Sequence, residues 1–171
     1  LELLRFLFMN PEKSINQRQL AIKLGVSPTA ISNSLDKLKK ENLVSVEKEE
    51  AGKRLLIKLN RDNKAIFFMK RLENLKAIQE SGLLNFLSEK FPLATIILFG
   101  SYSLGEDISS SDIDIAIIGA KEKDINLQNF EKLIGRKVSL QFYQNIKSIE
   151  TNLKSNILNG ITLKGGVELW N

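Results

Sequence analysis

Neither cysteine nor histidine occurs anywhere in the 171 residues. The first absence rules out disulfides and thiolate metal sites, and the second removes imidazole as base, acid or ligand. Acid–base and metal chemistry is left to carboxylates, hydroxyls, lysine and tyrosine. Only three prolines are present, at positions 11, 28 and 92, and each stands at the edge of a periodic segment. No low-complexity linker or internal repeat divides the chain. No apolar run approaches a membrane span and no basic–apolar–small stretch opens the sequence. A cytoplasmic location without membrane association is therefore expected. The 43% hydrophobic share is enough for real cores, and the length leaves one or two domains open.

The charge is uneven. Lys and Arg outnumber Asp and Glu by 11 to 7 over residues 1–60 and by 6 to 4 over 61–92, whereas residues 93–171 carry 8 against 9. A basic front with a near-neutral back suits a polyanionic partner for the front half, and equally suits an ordinary solvated Lys-rich surface.

Leu3, Leu4, Phe6, Leu7 and Phe8 predict a short first helix, broken at Asn10-Pro11. Asn16 with Gln19 three residues on is a capping-box pattern, and Gly25 supplies a left-handed stop. Ser27-Pro28 is a second cap followed by the residue best tolerated at a first helical position. Ile31, Leu35 and Leu38 then form one helical stripe. Leu43–Val46 and the alternating Leu55, Ile57 and Leu59 read as two strands, joined by the charged stretch 47–54. Two short helices, a tight turn and a hairpin make a winged helix-turn-helix. This stretch, roughly residues 1–60, resembles the winged-helix domains of MarR-like and related regulators.

That resemblance implies double-stranded DNA as a partner. With the stripe turned inward, Thr29, Ser32, Asn33 and Lys37 are expected to reach base edges, and Lys39, Lys40, Lys53 and Arg54 to contact phosphates. Residues 61–92 predict a helical linker: Asp62 caps a helix carrying Ile66, Met69, Leu72, Leu75 and Ile78, and Ser81-Gly82 separates it from a second helix ending near Phe91. The apolar residues suggest a dimerisation surface, and a homodimer is expected.

Ala94–Phe99 reads as a buried strand. It runs into Gly100-Ser101, then Gly105, then Ser111-Asp112-Ile113-Asp114 on a second apolar strand. A glycine after a buried strand lets backbone approach a phosphate, and Ser101 adds a hydroxyl donor. Asp112 and Asp114, two apart on a strand, present both carboxylates to one side, a donor pair suited to Mg²⁺ bridging to a nucleoside triphosphate.

The string Gly100-Ser101, Gly105, Ser111-Asp112-Ile113-Asp114 resembles the signature of the polymerase-beta-like nucleotidyltransferases, nearest to their minimal branch, over about residues 83–145. The resemblance implies phosphate binding by Gly100 and Ser101, and metal binding and catalysis by Asp112 and Asp114. It also implies a third carboxylate on a later strand, best read as 137–142. There Ser139 stands at the expected position, and Gln141 shares its face. Leu104, where relatives frequently carry a basic residue, is a milder departure. Glu106 and Asp107 are the available substitutes for the missing acid. Residues 146–171 read as an appended helix plus a short extended end.

The chain is thus expected to be a two-domain α+β or α/β protein: a winged helix over 1–60, a helical linker over 61–92 and a nucleotidyltransferase-like mixed sheet with flanking helices over 93–171. One functional reading is a transcription regulator whose second domain binds metal-nucleotide weakly and is impaired in transfer for want of the third acid. The alternative is an active metal-dependent nucleotidyltransferase modifying a protein or small molecule, with the winged helix as targeting module. A third is a scaffold that binds protein through both modules.

Overall fold

A computed structural model describes residues 2–48 and 55–167. The chain forms two compact units, Leu1–Lys70 and Arg71–Asn171.

The first unit holds α1 (Glu2–Met9), β1 (Ile15–Asn16), α2 (Gln17–Leu24), α3 (Pro28–Lys40), β2 (Val44–Lys48), β3 (Leu55–Leu59) and the start of α4 (Lys64–Glu80). The local signals act as read. The Asn16 side chain accepts the N–H of Gln19 at 2.9 Å, and Ser27 Oγ accepts that of Ala30 at 3.1 Å. Gly25 closes α2 at φ 64°, a left-handed angle that only glycine reaches without strain. Leu3, Leu7, Leu20, Ile31, Leu35, Ile57 and Leu59 pack into one core, closed by Ile66. The sheet order is β1-β3-β2, with the two residues of β1 pairing antiparallel to Ile57 and Leu56.

Two expectations for 61–92 are corrected. The cap of α4 is Asn63, whose Oδ1 accepts the N–H of Ala65 at 3.0 Å, not Asp62. The stripe is also not a free surface. Ile66 is buried in the first core and Ile78 in the second, each 1% exposed. At about 100° per residue, a repeat of three drifts around the helix, leaving Ile66 and Ile78 roughly 120° apart. They can therefore serve two different cores, while Leu72 of the same stripe stays 53% exposed.

The second unit continues with the rest of α4, α5 (Leu83–Lys90), β4 (Thr95–Phe99), α6 (Gly100–Leu104), β5 (Ile113–Ile118), α7 (Gln128–Ile134), β6 (Val138–Tyr143), a 3-10 turn (Ile146–Ser148), α8 (Thr151–Leu158) and β7 (Ile161–Lys164). Its sheet order is β6-β5-β4-β7, with β5 and β6 parallel and the other pairs antiparallel. Ile113, Ile115 and Ile117 are fully buried on one face with Leu83, Leu87, Ile96 and Leu98. Each stabilises the strand by about 1.5–3 kcal/mol, so β5 is a rigid carrier for what lies on its other face. That face packs Ile97, Phe99 and Ala116 against Ile146, Ile149 and Ile157.

Residues 146–171 were expected as an appendage, yet β7 completes the sheet beside β4. Gly160 makes this turn possible: a Cβ there would run into the carbonyl oxygen of Leu98 and lie 3.0 Å from that of Ile157. Both neighbours are backbone and cannot turn aside. Gly160→Ala is expected to destabilise the second unit by roughly 3 kcal/mol, read as a lower urea midpoint at unchanged slope.

Candidate active site

The site is assembled where β4 ends and β5 begins. Phe99 pairs with Asp114, so the residue following β4 meets the second carboxylate directly. That residue is Gly100, at φ 71°. A Cβ built on it would sit 2.7 Å from Asp114 Oδ2. The glycine is needed twice, for the left-handed angle and for the close approach. It begins α6, a single turn closed by Gly105 at φ 76°. Ser103 Oγ donates to the Gly100 carbonyl at 2.8 Å. Ser101 is partly exposed, and its hydroxyl makes no hydrogen bond among the described residues, which leaves it for a ligand.

Asp112 is exposed and Asp114 partly so. Ser111 Oγ accepts the N–H of Ile108 at 3.0 Å, closing the turn that delivers Asp112. On the far side Ile113 N donates to the Lys137 carbonyl at 2.8 Å, which fixes the start of β5 against β6. Burial, and secondly the neighbouring Asp112 carboxylate, hold the Asp114 carboxyl above the usual carboxylate range. A cation between the two would relieve that repulsion. Two oxygen donors at an open position fit one hard divalent ion that keeps several waters.

In the register of β5 and β6, Ser139 stands directly beside Asp114. Among the described residues no third carboxylate joins the pair. Asp107 does not substitute. It is 2% exposed, accepts from Asn74 Nδ2 at 2.8 Å and pairs with Arg136 at 3.8 Å. Asn74 also donates to the Tyr102 carbonyl at 2.9 Å, so this buried node holds α6 and its following loop in place. Burial first, and then Asp107, push the Tyr102 hydroxyl well above the tyrosine range. Glu106 is exposed. The Asn74–Asp107–Arg136 node escaped sequence reasoning because its members lie up to 62 positions apart in a chain of unremarkable polar residues.

Beside Asp112 opens a cleft of about 490 Å³, lined by Ser109, Ser110, Lys132, Arg136 and Lys137 among others. Lys137 pairs with Glu131 at 3.1 Å. Glu131 also accepts the Val138 N–H at 3.0 Å; these bonds hold its carboxyl below the usual range.

Gly100→Ala tests the close approach. The clash is with a side-chain oxygen that can rotate away, so the fold survives while the carboxylate is displaced. Expected are a stability loss of about 1–2 kcal/mol from the left-handed angle and a far larger proportional loss of divalent-ion binding. Calorimetric titration with Mg²⁺ checks the second against thermal unfolding for the first.

In the first unit, Thr29, Ser32, Asn33, Lys37, Lys39 and Lys40 are all exposed on α3, while Ile31 and Leu35 are buried beneath. Gln17 Nε2 donates to the Pro28 carbonyl at 2.9 Å, tying α2 to the start of α3. Lys53 and Arg54, expected in the wing, lie outside the described residues.

Comparison with known proteins agrees with both modules. Residues 80–163 match the family model described as nucleotidyltransferase domain, and residues 1–55 match that of the MarR family. The protein adenylyltransferase MntA of Shewanella oneidensis is 29% identical over 97 residues, covering 56% of this chain and 68% of that protein. The protein MJ1379 of Methanocaldococcus jannaschii, whose name assigns it the same activity provisionally, is 34% identical over 102 residues, or 50% of this chain and 97% of its own. No solved structure matches. The matched 80–163 extends past the segment on which the sequence resemblance was read and takes in α8 and most of β7.

Proposed function

The chain belongs to the nucleotidyltransferase domain family, and from that premise we propose that it is an active adenylyltransferase whose acceptor is a hydroxyl side chain of another protein. The names of the two relatives favour this reading over a regulator with an impaired second domain; they give impairment no support. The observation that carries it is the meeting of Gly100 with Asp114 beside Asp112.

In this reading the Gly100 backbone N–H and the Ser101 hydroxyl donate to phosphate oxygens, and the missing Cβ at position 100 gives them room. Asp112 and Asp114 hold a divalent cation, Mg²⁺, which when bound supplies charge neutralisation at the phosphate oxygens. The acceptor oxygen bonds to the α-phosphorus, the bond from that phosphorus to the departing pyrophosphate breaks, and the hydroxyl proton passes to solvent. Ser139 in place of an acid leaves only two carboxylates to neutralise, which suits a single ion. β5, fixed by its buried isoleucines, holds Asp114, and Asp112 immediately precedes the strand.

Duplex DNA is the partner proposed for the first unit. The exposed polar row of α3 and the MarR-family match support it. The winged helix then targets the transferase to DNA.

The test uses the full chain with ATP labelled at the α- or the γ-phosphate and a lysate of the source cells. Protein labelling from the α-position alone is expected. Labelling from the γ-position, or none from the α-position, would overturn the reading.

A further inference from the structure

The two carboxylates are not held in the same way. Asp114 lies inside β5, paired with Phe99 on one side and with Ser139 on the other. Asp112 precedes the strand and takes part in neither register. It is exposed, and its side chain makes no hydrogen bond among the described residues. The backbone around it must therefore fix where its oxygens lie. A ligand held loosely binds an ion more weakly, because binding must then order it.

That backbone belongs to a closed circuit of contacts. From Asp107 the chain enters a turn in which Ile108 N–H donates to Ser111 Oγ at 3.0 Å and Ser111 N–H to the Ile108 carbonyl at 3.0 Å. Asp112 follows at once. Beyond it, Ile113 N–H donates to the Lys137 carbonyl at 2.8 Å. Lys137 is preceded by Arg136, whose guanidinium returns to Asp107 at 3.8 Å and also donates to the Gly135 carbonyl at 3.1 Å. Asn74 pins the same Asp107 carboxylate from α4 at 2.8 Å. The ion pair that closes the circuit is buried, with Asp107 2% exposed and the Arg136 side chain 8%. A buried ion pair adds little stability over an apolar pair of similar volume, so packing alone does not call for charges here. What the pair supplies is a fixed relation between the loop before Asp112 and the segment that receives Ile113.

We infer that Asp107, acting through Arg136, is a positioning residue that sets Asp112 against Asp114 and thereby the affinity of the site for a divalent cation. This rests on the metal-binding role of the Asp pair given above and adds the group that holds one of its two ligands in place. Asp107 touches neither the ion nor the nucleotide. Its effect reaches Asp112 from both sides, through the 108–111 turn and through the Lys137 carbonyl.

The experiment uses the full chain with a non-hydrolysable ATP analogue and Mn²⁺ as the probe ion, the free ion being counted by electron paramagnetic resonance. Asp107→Asn keeps the shape of the side chain but removes the carboxylate that offsets the buried Arg136 charge, so it loses stability as well. The double variant Asp107→Asn/Arg136→Met removes both charges, leaves the net charge of the chain unchanged and is expected to recover most of the lost Tm. In both, the Kd for Mn²⁺ should rise about tenfold, the lower end of the cost of losing a group that orients a metal ligand. A second readout needs no ion. Amide hydrogen exchange at Ile108 and Ile113 should quicken about tenfold in the double variant, while Ile115 and Ile117 stay within about twofold. A double variant that regains its Tm and binds Mn²⁺ as the wild type does would show that the pair serves the fold alone, and overturns the inference. Unchanged exchange at Ile108 and Ile113 overturns it too. If exchange quickens as expected in a chain whose wild type binds no Mn²⁺, the anchoring of Asp112 stands and the metal reading of the Asp pair falls.

Discussion

Asp112→Asn and Asp114→Asn are each expected to lower adenylyl transfer by at least about 100-fold, roughly 3 kcal/mol of transition-state stabilisation. Among the described residues no third acidic group joins the two carboxylates, and Asp107 is already held by Asn74 and Arg136, so no neighbour is placed to take over from either. The same substitutions should act in the opposite direction on the fold. Burial and the nearby Asp112 raise the Asp114 carboxyl above its ordinary range, which means that the folded chain disfavours the ionised form. The contribution of this group is therefore fully favourable below the ordinary carboxylate pKa and is lost as pH rises through the raised value. Above that value the ionised carboxylate weighs against the fold, and Asp114→Asn, which carries no charge, should raise the Tm of the metal-free chain. Millimolar Mg²⁺ should raise the Tm of the wild type and leave both variants unmoved. Thermal unfolding with and without Mg²⁺, alongside the label assay, separates these effects. A variant that loses transfer and also loses stability would point to a damaged fold instead of a lost ligand.

Much of this site was open to a reading of the chain, because its parts are local. Gly100-Ser101 directly follows an apolar strand, and Asp112 and Asp114 alternate with Ile113 and Ile115, whose burial is announced by their type. Even the neutral residue beside Asp114 could be located, since the alternation Val138, Leu140, Phe142 sets which side chains of β6 face which way. The caps at Asn16 and Ser27 and the stop at Gly25 were equally local. What stayed hidden depends on partners far along the chain. The strand β1 is two residues long and exists only through Ile57 and Leu56, some forty positions on. The buried Asp107 is explained by Asn74 and Arg136, and β7 by a register with β4 that only Gly160 permits. The apolar repeat of α4 was visible, but its drift around the helix, and hence its sharing between two cores, follows from geometry that a count of apolar residues ignores. The choice between an impaired and a working site was not legible either. A missing carboxylate argues from one ligand alone, whereas the relatives' names weigh against impairment.

Duplex DNA should bind the full chain with strong salt dependence. Lys37, Lys39 and Lys40 are exposed on or beyond the middle of α3, and the net positive charge of the chain lies before residue 93. If about four phosphates are neutralised, the affinity scales with salt to a power near −3.6, and a rise from about 50 to 200 mM costs roughly a hundredfold. Lys39→Ala and Lys40→Ala should weaken binding alike on every sequence and each lower the slope by about one. Asn33 differs, because it lies on the exposed face near the start of α3, where a side-chain amide can pair with an adenine edge. Asn33→Ala should leave the slope unchanged while flattening the preference among sites by about 1–3 kcal/mol. Asp36, also exposed on this helix, faces the same field, so Asp36→Asn should tighten binding slightly at low salt. Fluorescence anisotropy over a salt series on several duplexes measures all of these. No binding to any duplex at the lowest salt would remove DNA as the partner of the first unit, and would leave the transfer reactions of the second to be explained by a protein target alone.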